Sequence, residues 1–425
     1  MEVLFSNINV FLYSFMYVFL LVFVCRKKEI KGNANAVTFI LAYYSVTSFF
    51  SLFYFNASNG VFRDYGNVSL LPYVYLVVCF IITIFPIYAY DNMTASFSLI
   101  LSERKRYVLK MVIIFVVLCT LLPFLESISQ IPTALATDDS MAAAYDARLS
   151  GHESVYLSSL GRKLFAIIWM LNNVIPVLIF IAIINKMDKK LIIGLCLAIV
   201  TIWISQMILG GRSRLVQNAL YVVVVYFFFR KHLSPSLNKK ILFGGSLFLS
   251  IAIFALVAVS VSRFNSFSSS QTSSMTIWSW LGLYAGEGAL NFNCLEWYAQ
   301  KSPNYVNGYA TLLLPLSILS GNKITVAEVW SMKSRLGIPG NIFYTYVGGI
   351  MMDWGKIGTL LFLSFFSFLV YFFVIKRRRF SGGKKMLILC LWSKILVVGP
   401  IFFTYATYDD QVNLLCSLIF GALFL

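Results

Sequence analysis

The chain has 425 residues, 59% of them hydrophobic and only 12% charged, with a mean hydropathy of +0.81. A soluble domain carries about 25% charged residues, so a water-soluble globular protein is excluded. A net charge of +17 would suit a nucleic-acid binder, but about 21 of the 34 Lys and Arg fall in five short clusters at alternate gaps between apolar runs, which is a membrane pattern.

Apolar runs of roughly 20 residues recur, the length a helix needs to cross a bilayer core of about 30 Å. Lipid offers the backbone no hydrogen-bond partner, so such runs must be helices. In chain order they predict about eleven spans, at 4–25, 36–56, 69–89, 108–124, 164–184, 191–209, 215–229, 241–262, 356–375, 386–404 and 412–425. The expected fold is all-α, a polytopic transmembrane helix bundle forming one domain over 1–425. The clusters Arg26–Lys31, Arg104–Lys110, Lys186–Lys190, Arg230–Lys240 and Lys376–Lys385 follow spans 1, 3, 5, 7 and 9. The positive-inside rule makes those gaps cytoplasmic, with the N-terminus outside and the C-terminus inside. The first run follows only Met1 and Glu2 and has no basic flank, so it reads as a retained span and not a cleaved signal.

Two outer loops are long. Residues 125–163 are rich in small and polar residues. Residues 263–355 open on a Ser-rich stretch, continue as WSWLGLYAGEGALNFNCLEWYA with apolar residues spaced like a surface helix, and break at Ser302-Pro303-Asn304. A loop of roughly 90 residues points to work at the outer face. The cysteines suggest no disulfide framework. His152 and His232 are the two histidines, so no His-based metal site and no cofactor is expected. P-loop, HExxH and GxSxG motifs are missing.

Between spans 6 and 7 stands Gly210-Gly211-Arg212-Ser213-Arg214. Glycines let a backbone approach a ligand. Arginines donate paired hydrogen bonds to phosphate oxygens, and a helix N-terminus favours an anion. Arg212 and Arg214 are therefore candidate ligands of a pyrophosphate, with Arg263 and Arg335 as further members. The alternative is a pair of interfacial arginines snorkelling to headgroups. As a general base the candidates are Glu287, set between glycines where a backbone can come near a ligand, Asp353, and His152 in the first long loop. Asp353 also reads as an ordinary N-cap of span 9. Glu296 and the pair Asp409-Asp410 read as solvated. Lys394 inside span 10 is either functional or snorkels. Asn172, Asn173 and Gln206 read as bonds between helices.

The span–GGRSRL–span unit, the large outer loop before the last spans, and the segment YTYVGGIMMDWGKIG from Tyr344 to Gly358 resemble the O-antigen polymerase (Wzy) family, with Trp354 where that family's segment has Phe. The resemblance implies a GT-C-like glycosyltransferase of the bacterial inner membrane, active on the periplasmic side. Its substrates would be undecaprenyl-pyrophosphate-linked oligosaccharide and polysaccharide. Its partners would be membrane lipids and a chain-length regulator and flippase of the same pathway, with no sugar nucleotide, ATP or nucleic acid. The rival readings are an O-antigen ligase, and a lipid-linked oligosaccharide flippase or transporter.

Overall fold

A computed structural model of the chain describes residues 2–26, 35–58, 65–93, 97–136, 157–208, 212–246, 277–299, 308–335, 337–339, 342–377 and 379–425. Among them the regular structure is all helical: α1 (Glu2–Arg26), α2 (Ala36–Ser58), α3 (Leu70–Asp91), α4 (Glu103–Ala136), α5 (Ser159–Met170), α6 (Ile175–Ile184), α7 (Lys189–Ile208), α8 (Arg212–Phe229), α9 (Ile277–Asn291), α10 (Leu313–Ser320), α11 (Val326–Ser334), α12 (Tyr346–Tyr371), α13 (Gly382–Val398) and α14 (Tyr408–Phe424). A further helical stretch covers 235–246.

Six segments among the described residues are long and apolar enough to cross a membrane: Leu4–Arg26, Ala36–Asn56, Leu70–Asp91, Glu103–Ile131, Lys189–Ile208 and Tyr346–Lys376. The pair α5 and α6, bent by 68° at a short break, makes a seventh if read as one span. The chain is thus an α-helical membrane protein. Its outer faces agree. Phe11, Phe15, Phe19 and Phe23 form an i, i+4 row on α1, each more than half exposed, and Ile357, Leu361 and Phe365 do the same on α12. Such rows are an aggregation hazard in water and match acyl chains. The expected spans near the C-terminus are the 17-residue helices α13 and α14, about 25 Å long. That over 215–229 is α8, which carries five polar residues in its first two turns. Beyond Ser246 the expected span at 241–262 lies outside the described residues.

The chain divides into two compact units. The first comprises Met1–Thr94, Thr276–Arg379 and Leu391–Gln411; the second comprises Ala95–Met275, Phe380–Cys390 and Val412–Leu425. In the first, α2 packs on both α1 and α9, and α3 packs on α12. Ser14 Oγ donates to the Ser48 carbonyl at 2.7 Å. Tyr13 stacks on Tyr73 with ring centroids 4.3 Å apart, and Thr83 meets the Tyr346 hydroxyl at 3.1 Å.

Here the surface-helix expectation for 277–299 is corrected. Residues 286–293 are buried, because Gly282 and Gly286 let α9 close on α2. A Cβ on Gly286 would lie 2.6 Å from the Phe50 backbone, and Ser51 Oγ donates to the Gly286 carbonyl at 3.0 Å. Small residues four apart allow this approach between membrane helices. In the second unit α4 lies against α5 and α7, and α6, α7 and α8 pack together. Gly194 of α7 receives the Val117 side chain of α4.

Candidate functional site

The second unit holds the break between α5 and α6. Asn172 and Asn173 are poor helix formers, and Pro176 has no N–H to give the Asn172 carbonyl. The chain therefore turns at Leu171, whose carbonyl accepts from Val174 N at 2.8 Å and Ile175 N at 3.0 Å. One face of α8 meets this break, since Arg214, Gln217, Asn218 and Tyr221 are spaced i, i+3, i+4, i+7. The Arg214 guanidinium lies 5.5 Å from the Trp169 ring centroid. Asn172 Nδ2 donates to Asn218 Oδ1 at 3.3 Å, and the Tyr221 hydroxyl donates to the Asn173 carbonyl at 2.9 Å.

Two atoms of the second unit, on α7 and α8, stand out. Gln206 Oε1 and Gln217 Nε2 are buried and have no hydrogen-bond partner. A buried polar atom left unpaired costs about 1–3 kcal/mol. Arg214 itself is half-buried. Its place in the first turn of α8 sets a cation against the positive end of the helix dipole, so helix stability does not explain it. The guanidinium lies over the Trp169 ring, and the planar fork of an arginine matches the oxygens of a phosphate. What this arrangement can do is hold a phosphate at the end of α8. The Asn172–Asn218 bond is the interhelical pairing read from the sequence, while Trp169, Gln217 and Asn218 were not. Polar residues three and four positions beyond an arginine, inside an apolar run, are the signal that marks them.

The first unit holds a buried charged cluster. Past α9 the chain widens into a π-helical turn, Phe292–Glu296. Asn293 clasps the residue before α3, donating to the Ser69 carbonyl at 2.6 Å and accepting from Ser69 N at 3.0 Å. Glu296 is only 1% exposed, which corrects the solvated reading. Its carboxyl lies against Gly348 of α12, where a Cβ would collide with it, and neither of its oxygens has a hydrogen-bond partner. Lys333 of α11 is also 1% exposed, with Nζ 3.5 Å from the Tyr344 ring centroid. Burial pushes the Lys333 amine down to about 7, against the opposing pull of Glu296 and Asp353. Burial raises Glu296 well above the usual carboxylate range, with Lys333 opposing. The sequence gives no sign of Lys333, because α11 is short and a lysine in its last turn reads as an ordinary solvated helix end.

Asp353 is not the N-cap of a span. It sits two residues before Gly355, whose φ of 67° breaks α12 internally and requires a glycine. Its carboxylate accepts from the N–H groups of Gly308, Ala310 and Thr311 at 2.8, 3.2 and 2.6 Å, and from the Thr311 hydroxyl at 2.6 Å. Trp354 Nε1 donates to the same hydroxyl at 3.0 Å. Lys356 Nζ lies 3.8 Å from the Trp297 ring centroid, and its carbonyl accepts from the Tyr75 hydroxyl. The DWGK segment thus fastens the chain between α9 and α12.

Of the other expected site residues, Glu287 is buried at 5% exposure. The glycines beside it close on protein and not on open space: Gly286 on Phe50, and Gly288 on the Pro400 carbonyl. That corrects the expected approach to a ligand. Arg335 is exposed at the end of α11. Arg212 begins α8. His152 and Arg263 lie outside the described residues. Lys394 is buried at 4% exposure and does not reach outward. The structure brings Asp353 together with Lys333 and Glu296 in the first unit, and puts Arg212 and Arg214 in the second. Among the described residues, no group of three or more His, Cys, Asp and Glu side chains is placed to hold a metal ion. Compared with family models, curated proteins and solved structures, the chain matches none.

Proposed function

We propose that this protein is an O-antigen polymerase: a GT-C-like glycosyltransferase of about eleven spans in the bacterial inner membrane, polymerising undecaprenyl-pyrophosphate-linked repeat units on the periplasmic face. The observation that carries the reading is Arg214, its guanidinium 5.5 Å from the Trp169 ring centroid beside a broken helix. The charge distribution supports the orientation, since the basic clusters follow the odd-numbered spans and the GGRSR segment follows an even one.

In this reading a hydroxyl of one lipid-linked unit attacks the anomeric carbon of the growing chain. A new C–O bond forms, the bond to pyrophosphate breaks, and the hydroxyl proton leaves to a base. Negative charge grows on the pyrophosphate as its bond breaks. Arg212 and Arg214 stabilise that charge more in the transition state than in the ground state. Undecaprenyl pyrophosphate departs. Partners would be a chain-length regulator and a flippase of the same pathway. The test is polymer laddering in a deletion strain complemented with Arg212→Ala or Arg214→Ala protein that still reaches the membrane. Loss of the ladder is expected, and normal ladders from both would overturn the assignment.

One observation favours a second reading. A broken span lined by buried amides is how transporters build a site within the bilayer, which suits a lipid-linked oligosaccharide flippase. A deletion strain that accumulates single lipid-linked units on the cytoplasmic leaflet would favour it. Accumulation on the periplasmic leaflet favours the polymerase.

A further inference from the structure

The lipid-facing part of α12 has two charged ends. Beyond the Gly355 break, Lys356 and Lys376 bracket an apolar run that carries no other charge. The 21 residues from Lys356 to Lys376 make about 31 Å of helix, the thickness of a hydrocarbon core, and a lysine at either end keeps its amine at the boundary. Trp354 stands just outside that run. Its ring packs on Phe362 with centroids 5.7 Å apart, and Phe362 packs on Phe366 at 4.6 Å, on a helix whose Ile357, Leu361 and Phe365 are exposed. A tryptophan in that place marks the membrane interface.

Helix α10 sets out from that tryptophan. The Trp354 indole N–H donates to the Thr311 hydroxyl at 3.0 Å, and Leu312 and α10 follow directly. At eight residues, about 12 Å, α10 is far too short to cross a bilayer. Its sidedness is the reverse of a helix in water. Ser317 is 5% exposed and its hydroxyl accepts from Ile324 N at 3.1 Å, while Ile318 and Leu319 are 69% and 83% exposed. Leu312, Pro315, Ile318 and Leu319 share one face by helical spacing, and all four are exposed; Leu313 and Ser317 hold the buried face. The far end is polar. It closes on Gly321 in the left-handed region, and Lys323 then reaches Asp409 at 3.0 Å, its amine 5.3 Å from the Tyr408 ring centroid. Leu314 N donates to Gln411 Oε1 at 2.7 Å, and Asp353 accepts from Thr311 N. These two bonds hold the backbone of α10 and its entry, which keeps the apolar face outward. All of these residues belong to the first unit.

From this we infer that α10 is a membrane-surface helix. Its face of Leu312, Pro315, Ile318 and Leu319 lies in the acyl chains of the leaflet that ends at Trp354, and Lys323 lies at the level of the headgroups. The occupant is lipid because the face continues, through Trp354 and Thr311, from the exposed row of a span whose apolar length matches a bilayer. The lysine at its far end completes the pattern of an interfacial helix, apolar on one side and charged at the water's edge. Immersed in this way, α10 anchors the segment it shares with α11, and the buried Lys333 with it, at the membrane surface. The inference goes beyond the glycan chemistry proposed above and does not depend on it.

The experiment is photocrosslinking of the full-length protein in vesicles of phosphatidylethanolamine and phosphatidylglycerol. A benzophenone amino acid replaces, one at a time, Leu319, Phe365 on the exposed row of α12, and Ser331, exposed on α11. Mass spectrometry identifies what each one captures. The probe at Leu319 should capture phospholipid in a yield close to that at Phe365 and about tenfold above that at Ser331, the partition expected of one leucine side chain between water and hydrocarbon. A lipid yield at Leu319 no higher than at Ser331 overturns the inference. Crosslinked dimers through Leu319 would assign the face to a second copy of the chain, and crosslinks within one chain would assign it to another segment of the same protein; either result overturns it too. Because Leu319 is exposed, the variant should melt with the unaltered protein before irradiation. A fall of several degrees would show that the side chain is packed against protein, and the immersed face would then be wrong.

Discussion

The Asp353 carboxylate holds Thr311 twice, through its amide and its hydroxyl, both at 2.6 Å, across 42 residues of chain. The same hydroxyl takes the indole N–H of Trp354, so one threonine is the junction of two neighbours in α12. Thr311→Val keeps the shape and deletes that junction. A hydrogen bond to a charged group contributes about 1.5–3 kcal/mol, so Thr311→Val should destabilise by about that much. Asp353→Ala should cost more, because three backbone N–H groups also lose their acceptor. Thermal melting in detergent reads the order, and equal melting of the two variants would contradict it.

Glu296 and Lys333 give the first unit opposed pH responses. Lys333 titrates near 7 when folded and near 10.4 when unfolded. Between those values the unfolded chain binds the extra proton, so this group makes stability rise with pH and holds it down fully below 7. Glu296 is raised by burial. Above the ordinary value near 4.3 the folded chain binds the extra proton, so this group makes stability fall as pH climbs toward the raised value. With both present the slopes oppose. Glu296→Gln should therefore leave stability rising between pH 7 and 9, and Lys333→Met should leave it falling from pH 5 upward. Each slope is at most about 1.4 kcal/mol per pH unit. The unaltered protein should lie between them in melting scans across pH 5–9. Parallel profiles in all three would show that the pair does not titrate as its burial requires.

The α9–α2 contact depends on a missing side chain. Gly286→Ala places a methyl 2.6 Å from the Phe50 carbonyl carbon, which a backbone cannot yield cheaply. Overpacking of this kind costs about 1–3 kcal/mol. Gly244→Ala is the control, because nothing lies within 4 Å of a Cβ there and alanine favours a helix by up to about 1 kcal/mol. Gly286→Ala should lower the melting temperature by several degrees, and Gly244→Ala should hold or raise it.

Membrane helices were legible because lipid leaves the backbone one option: the runs at 4–25, 36–56 and 69–89 are α1, α2 and α3 to within a few residues. The break after Met170 was encoded by Asn172, Asn173 and Pro176 but hidden inside one apolar run, since hydropathy averages over such a bend. Arg214 was legible as a charge where topology requires none. Lys333 and Glu296 were not, because their burial comes from packing between α11, α12 and the turn after α9, and no local pattern distinguishes them from solvated charges. The glycines around Glu287 were legible as a close approach, but a sequence does not say whether ligand or helix arrives.

Arg214 and Trp169 separate the roles of charge, geometry and support in the proposed clamp. Arg214→Lys keeps the charge and loses the planar fork. Trp169→Leu keeps apolar bulk and loses the ring under the guanidinium, which is 5.5 Å away. A cation–π contact contributes about 0.5–2 kcal/mol, so Trp169→Leu should slow polymer growth by about 2- to 30-fold through a guanidinium that is still present but less well held. Removing a preorganised donor to developing charge costs about 10²–10³-fold, so Arg214→Ala should abolish long polymer, with Arg214→Lys falling between. The rates are read from chain length against time after induction, at matched protein levels in the membrane. Polymer from Arg214→Lys equal to that from unaltered protein would mean that a point charge suffices and the fork has no role. Trp169→Leu as damaging as Arg214→Ala would mean that the ring meets substrate directly and does more than seat the arginine.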